Sequence, residues 1–320
     1  MICSIYMIDI VFTSDNNYLR YQGVTICSIC ENDRDADIRF HVVLSGEVTD
    51  EGKNYLQEIC CRYGKSLFFY PIHHELLGVL PAGESGQPVH ISGAAYYRLF
   101  LASILPDTID RVLYLDCDLI AMHSLAPLWN WNIDGCPVAA VPDMDEAVLD
   151  KYRRLRYPTA HGYFNSGVLL INLKYWREHN CQGMFEHYVS EHLDRIVYHD
   201  QDVLNAIFHD SKCVLPIRFN VQEAALYTRV NISWEYDEQL AEALKDPLIV
   251  HYTTWQKPWI EGCSHPWKDL WYKYLRIVGT GDFKPVKMPR RKVSLMGRAR
   301  NIMVKFGLLE PMYQFRRDLK

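Results

Sequence analysis

The feature of this sequence that most restricts its fold is a rhythm of short apolar runs alternating with segments of helical periodicity. IDIVFTS is followed by a helical stretch from about Tyr18 to Cys30, then by IRFHVVLS, a second helical stretch near Asp50 to Tyr63, and SLFFYPI. Strands separated by helices do not pair through tight turns, so this order implies parallel strands with crossover helices packed on the sheet faces. A Gly- and Pro-rich segment, LLGVLPAGESGQPVHIS, precedes a predicted helix around Ala94 to Leu105. RVLYLDCDLI then carries a strand straight into acid. PVAAVPD, GYFNSGVLLINL, a helix near Gln182 to His192, a helix opening at Asp200 and the late strand PLIVHY complete the pattern. With 49% hydrophobic and 23% charged side chains over 320 residues, the chain can bury a large core, which excludes a disordered, collagen-like or disulfide-stapled miniprotein. No low-complexity linker or repeat period divides residues 1 to 282, so one continuous α/β domain is expected there.

The net charge of −5 averages two unlike parts. Residues 1 to 282 hold 23 basic and 37 acidic side chains, a net −14, whereas residues 283 to 320 hold 11 basic and 2 acidic, a net +9. The tail reads FKPVKMPRRK and then VSLMGRARNIMVKFGLL. At 100° per residue, Leu295, Met296, Ala299, Ile302, Met303, Phe306 and Leu309 share one face, with Arg298, Arg300, Asn301 and Lys305 around the rest. A basic amphipathic helix of this kind suits an anionic membrane surface, where each basic residue contributes about 1 kcal/mol. Nucleic acid is not an expected partner, because the acidic body repels phosphate backbones and the apolar stripe has no role there. The opening MICSIYMIDIVF has no positive n-region and is interrupted by Asp9, so it reads as a buried strand rather than a secretory signal. No apolar run approaches the roughly 18 residues of a membrane span. The ten cysteines are therefore expected as free thiols in a reducing cytosol, with Cys27 and Cys30 packed in the core, since no second CxxC exists to complete a zinc site. The expected location is cytoplasmic, peripheral on the inner face of the cytoplasmic membrane.

Five constellations carry chemistry. Asp116 and Asp118 end the run VLYLDCD; residues two apart on a strand project together, and two carboxylates at a strand's carboxyl end form a hard-oxygen site suited to Mg²⁺ or Mn²⁺. Ligands of open α/β sheets bind at that end. His251, after the apolar run LIV, would complete a two-carboxylate, one-imidazole site, and Lys257 six residues on would neutralise phosphate as a point charge. Asp200-Gln201-Asp202 opens a helix, where Asp200 also suits an N-cap. Asn165-Ser166-Gly167 is a small polar turn that lets a ligand approach the backbone. Thr13-Ser14-Asp15-Asn16-Asn17-Tyr18 offers amide and carboxylate partners for a base edge and a ring for stacking, or an ordinary turn and cap.

In this order and spacing, the five pieces resemble glycosyltransferase family 8, particularly its bacterial lipopolysaccharide α-galactosyl- and α-glucosyltransferases, over residues 7 to about 275. RVLYLDCDLIAMHSLAPLW, GYFNSGVLLINLKYW and YHDQDVLN are the most specific stretches. The resemblance implies a GT-A fold with a mixed, mainly parallel central sheet, and transfer from a UDP-hexose with retention of configuration, aided by Mn²⁺ with Mg²⁺ as the alternative. By motif, Asp116, Asp118 and His251 would hold the metal. Asp15, Asn17 and Tyr18 would hold the uridine, and Lys257 the diphosphate. Arg98, Asp143, Asn165, Asp200 and Gln201 would surround the donor sugar, with Asp145 the competitor to Asp143. Thr13, Asp116, Cys117, Ser166 and Thr254 complete the expected substrate contacts. The family usually has a glycine between its histidine and the KPW; here the stretch is Thr253-Thr254-Trp255-Gln256, whose hydroxyls either serve the diphosphate or crowd it.

The implied donor is UDP-glucose or UDP-galactose, and the implied acceptor a lipopolysaccharide core, another cell-surface glycan or a lipid-linked saccharide. Gln201, expected beside the anomeric carbon, carries an amide that is a poor nucleophile. That favours front-side attack by the acceptor hydroxyl, with Asp200 the nucleophile if a covalent intermediate forms. Two other readings compete: a UDP-sugar-binding or membrane-adaptor protein on an inactive transferase scaffold, and a sugar nucleotidyltransferase. The nucleotidyltransferase would carry a Gly-rich loop after its first strand, where this chain has TSDNNYLRYQG.

Overall fold

Along β1 (Met7–Ser14), Ile8, Ile10 and Phe12 pack to one side and Val11 to the other, and both sides are buried. A strand covered on both faces is what parallel crossover topology produces. β2 (Asp37–Leu44) and β3 (Ser66–Pro71) extend the sheet outward in parallel, and β4 (Arg111–Leu115) pairs with β1 in parallel on the other side. This computed structural model describes residues 7–72, 93–279, 283–287, 303 and 313–319. Helices Leu19–Asn32 and Lys268–Val278 contribute to the core on one face. Helices Cys181–His192 and His199–Phe208 contribute to the core on the other.

Five further strands follow: β5 (Leu119–Ala121), β6 (Val138–Pro142), β7 (Phe164–Asn172), β8 (Cys213–Val214) and β9 (Val221–Gln222), with β10 (Ile249–His251) late in the chain. The main sheet runs β3-β2-β1-β4-β7-β6-β8, with β7 antiparallel to both of its neighbours, so the sheet is mixed and mainly parallel, as the family resemblance implies. Reversal of β7 brings its first residues to the carboxyl end of β4, where the Asp116 amide donates to the Gly167 carbonyl at 2.9 Å. A second sheet, β5-β10-β9, turns the chain just after Asp118 and sets His251 opposite Leu119.

Two expectations are revised. The predicted helix around Ala94 to Leu105 is a 3₁₀ segment, Gly93–Phe100, followed by a single α turn, Leu101–Ile104. Tyr96 through Leu101 are all buried, so packing on every side, rather than an amphipathic period, sets the winding there. Cys136 and Cys213 are also bridged, against the expectation of ten free thiols. The parallel pairing of β6 with β8 brings the two together across 77 residues, a juxtaposition that spacing alone does not disclose. Cys27 and Cys30 lie in the core as expected.

The amphipathic tail helix falls, apart from Met303, outside the described residues. Both described ends of the tail lie on the domain: the Phe283 ring packs 5.4 Å from that of Trp271, Val286 bridges Ile260, and Phe315 bridges Tyr227. Among the described residues no helix is long and apolar enough to cross a membrane. A bridge closing a loop of this length contributes about 2–4 kcal/mol. Thiol titration of the denatured, unreduced protein is expected to find two fewer reactive cysteines than the reduced protein, and reduction is expected to lower the melting temperature.

Candidate active site

Strand alternation makes Asp116 and Asp118 face one point while Cys117 turns inward, its thiol 3.5 Å from the Thr13 carbonyl. The second sheet delivers His251 to the same point: its Nε2 lies 3.2 Å from Asp118 Oδ1 and 3.6 Å from Asp116 Oδ2. A chain of amides orients the ring. The Gly167 amide donates to Asn165 Oδ1, so the Asn220 atom facing that oxygen is its NH₂ group (2.8 Å), and Asn220 Oδ1 accepts from His251 Nδ1 at 3.0 Å. The proton on Nδ1 leaves Nε2 with its lone pair toward the carboxylates. Acceptors converging in this way repel unless a cation lies among them.

The ligand atoms of Asp116, Asp118 and His251 all lie within 4.8 Å of one another, and two carboxylates with one imidazole match Mn²⁺ or Mg²⁺ in chemistry. Gly167 leaves the space open, since a Cβ there would stand 2.2 Å from His251 Cε1 and 2.6 Å from Asp116 Oδ2. Lys257 pairs with Asp118. Burial works against ionisation of Asp118, but the Lys257 ammonium paired with it outweighs burial and holds this carboxyl well below the usual carboxylate range.

Beside the acidic pair lies a buried polar cluster. Arg98 stacks over the Tyr114 ring, donates to Asp116 Oδ1 at 3.1 Å and to the Ser166 carbonyl at 2.5 Å, and pairs with Asp200 at 3.1 Å. Burial pushes the Asp200 carboxyl up to about 6 against the pull of Arg98. His199, just before it, holds a left-handed φ of 49°, the kind of local strain that collects at functional sites. Gln201 Oε1 accepts from Asn165 Nδ2 (3.2 Å) and from the Ser166 amide (3.0 Å), while its Nε2 donates to Asp143 Oδ2 (3.1 Å). Asp143 is thus the acid in the cluster; Asp145 instead accepts from Asn231.

The predicted base-binding residues sit at the end of β1. Thr13 Oγ1 donates to the Tyr114 hydroxyl (3.0 Å), which donates to Asp116 Oδ1 (3.0 Å). Asp15 caps the turn by accepting from the amides of Asn17 (2.9 Å) and Tyr18 (3.1 Å). The Tyr18 ring meets Trp259 edge-on at 6.3 Å. Thr254 donates to Glu223 Oε2 at 2.6 Å, so its hydroxyl proton is committed to that carboxyl.

The description of the family model that matches residues 9–263 is "Glycosyl transferase family 8". The chain belongs to this family. Its similarity extends to general stress protein A of Bacillus subtilis, at 30% identity over 83% of this chain and 92% of that protein. A lipopolysaccharide 1,2-glucosyltransferase of Escherichia coli is 29% identical over 81% of this chain and 79% of the relative. Among solved structures, the galactosyltransferase LgtC in complex with donor and acceptor sugar analogues superposes with a TM-score of 0.76 and 29% identity, covering 85% of this chain and 97% of that one. The fold is accordingly GT-A-like.

Within this family framework three supporting residues escape a reading by motif. Asn220 fixes the His251 tautomer. Gln222 clamps both sides of Asp143, donating to the Pro142 carbonyl (2.9 Å) and accepting from the Met144 amide (3.1 Å). Lys151, buried with its ammonium 4.4 Å from the Tyr163 ring centroid, donates to Asp143 Oδ1 at 2.8 Å. Asn220 and Gln222 flank Val221 in FNVQ, a polar interruption before a helix, which was the available signal. Gly167→Ala tests the cradle: Mn²⁺ affinity by calorimetry is expected to fall at least about tenfold, as for a displaced ligand, with unchanged circular dichroism.

Proposed function

We propose that the protein is a retaining hexosyltransferase that moves glucose or galactose from the UDP-sugar to a glycan acceptor, a lipopolysaccharide core or another cell-surface glycan. The observation that carries this reading is the convergence of Asp116, Asp118 and His251 on one point, with the Gln201 cluster beside it. The names of the lipopolysaccharide glucosyltransferase and galactosyltransferase relatives support the hexose and the acceptor class. Asp116, Asp118 and His251 would hold Mn²⁺, or Mg²⁺ in its place. When bound, the ion supplies Lewis-acid stabilisation of the negative charge on the departing diphosphate.

The chain's own residues do the rest. Lys257 adds a point charge for the diphosphate, and Arg98 keeps the Asp116 and Asp200 carboxyls in place. The Gln201 carbonyl, committed to the donors of Asn165 and Ser166, is a poor nucleophile, and Asp200 is tied to Arg98. Both favour front-side attack by the acceptor hydroxyl, its proton passing to the leaving phosphate. The basic tail would hold the enzyme peripherally on the inner face of the cytoplasmic membrane, near lipid-linked acceptors.

Incubation with Mn²⁺ and a panel of UDP-sugars is expected to release UDP from UDP-glucose or UDP-galactose, with an α-linked product by NMR. Gln201→Ala is expected to lower kcat about a hundredfold, the usual weight of a positioned polar group at a reacting centre. A β-linked product, or turnover of neither hexose donor, contradicts the proposal.

A further inference from the structure

The loop between His251 and Lys257 is tied to the residues that follow β9. Thr254 donates to Glu223 Oε2 at 2.6 Å, and the Gln256 amide donates back to Thr254 Oγ1 at 3.3 Å. Glu223 is buried and directly follows β9, the neighbour of β10, and its other carboxylate oxygen accepts from the Tyr227 hydroxyl at 2.6 Å. These two hydroxyls serve the two oxygens of a buried anion, which makes each of them costly to lose.

Tyr227 is also where the C-terminal segment lands. Phe315 forms an antiparallel bridge with it, the Thr228 amide donates to the Gln314 carbonyl (2.7 Å), and the Arg316 amide donates to the Leu226 carbonyl (2.8 Å). Arg316 Nε donates to the Tyr227 carbonyl at 3.1 Å, and the Tyr313 and Phe315 rings lie 5.3 and 5.0 Å from the Tyr227 ring. Phe315 and Leu319 pack against the small core formed by Val221, Leu226 and Leu240. The segment therefore pairs, through a single antiparallel bridge, with the residues that hold Glu223.

We propose that residues 313–319 are a positioning element of the donor site: by locking Tyr227 they fix Glu223, and through Thr254 they hold the loop that carries Lys257. This rests on the assignment of Lys257 to the diphosphate. A loosened loop must be ordered again each time a donor binds, which raises the donor KM and leaves the chemical step alone. The end of the chain thus serves catalysis on soluble acceptors as well as any membrane role of the residues before it.

Hydrogen–deuterium exchange of the ligand-free, full-length protein tests the tie without any donor. In Phe315→Ala and in Thr254→Val, the amides of residues 253–257 are expected to exchange about fivefold faster, the weight of one hydrogen bond, and in Thr254→Ser at the original rate. With the UDP-hexose donor, the same variants are expected to raise KM about fivefold with kcat held within about twofold, and the double variant to be no worse than Thr254→Val alone. Tyr227→Phe, which deletes one hydroxyl, carries the same expectation if Phe315→Ala does not fold. Unchanged loop exchange in the folded variants, or additive losses in the double variant, overturns the proposal. If the unaltered protein turns over neither UDP-hexose, the exchange result still decides the tie, and the failure belongs to the proposed function.

Discussion

Asp116 and Asp118 project from one strand end toward one point, and much of the surrounding structure answers the repulsion between them. Arg98 and the Tyr114 hydroxyl hold the first carboxylate, Lys257 pairs with the second, and His251 faces both. Each of these comes from a different part of the chain. Arg98 lies on the 3₁₀ segment, Tyr114 in β4, His251 at the end of β10 and Lys257 in the loop beyond. The fold is what gathers them, and an anionic pair held this close favours a cation between its members. Gly167 shows how tight the arrangement is, since one methyl group at that position would intrude on both His251 and Asp116.

The main sheet was legible in the sequence because it rests on local signals. Apolar runs such as DIVF and RFHVVL are long enough to be strands, and the helices between them carry their own periodicity. The acidic pair was legible for the same reason, being a strand alternation that runs out into charge. The reversal of β7 was not, because strand direction is set by pairing across the sheet, and neither was the sheet β5-β10-β9, because PLIVHY reads as a strand but a two-residue partner such as Val221–Gln222 has no periodicity to read. Those short pairings nevertheless decide the site: one carries His251 to Asp118, and Gln222 within the other clamps Asp143.

Long-range pairings were hidden for a related reason. The Cys136–Cys213 bridge depends on β8 lying beside β6, and nothing in the spacing of ten cysteines selects that pair. Asp143 and Asp145 were likewise not distinguished in one dimension, and in the structure it is Asp143 that both Lys151 and Gln201 reach. Thr254 was ambiguous as a residue type, because a hydroxyl beside a phosphate site either helps or obstructs. In the structure that hydroxyl donates to Glu223, a partner the sequence does not announce. In the tail, the charge asymmetry points to a surface while the bridge from Phe315 to Tyr227 returns the end of the chain to the domain.

In the proposed reaction the converging carboxylates and imidazole would hold a cation that recognises the diphosphate of the donor. Calorimetric titration of UDP into the protein, once with Mn²⁺ and once with excess chelator, tests it most directly. The account predicts binding with Mn²⁺ that weakens by at least about a hundredfold in chelator, since removing a divalent charge from a diphosphate site forfeits several kcal/mol. Equal UDP affinity in the two titrations would contradict it.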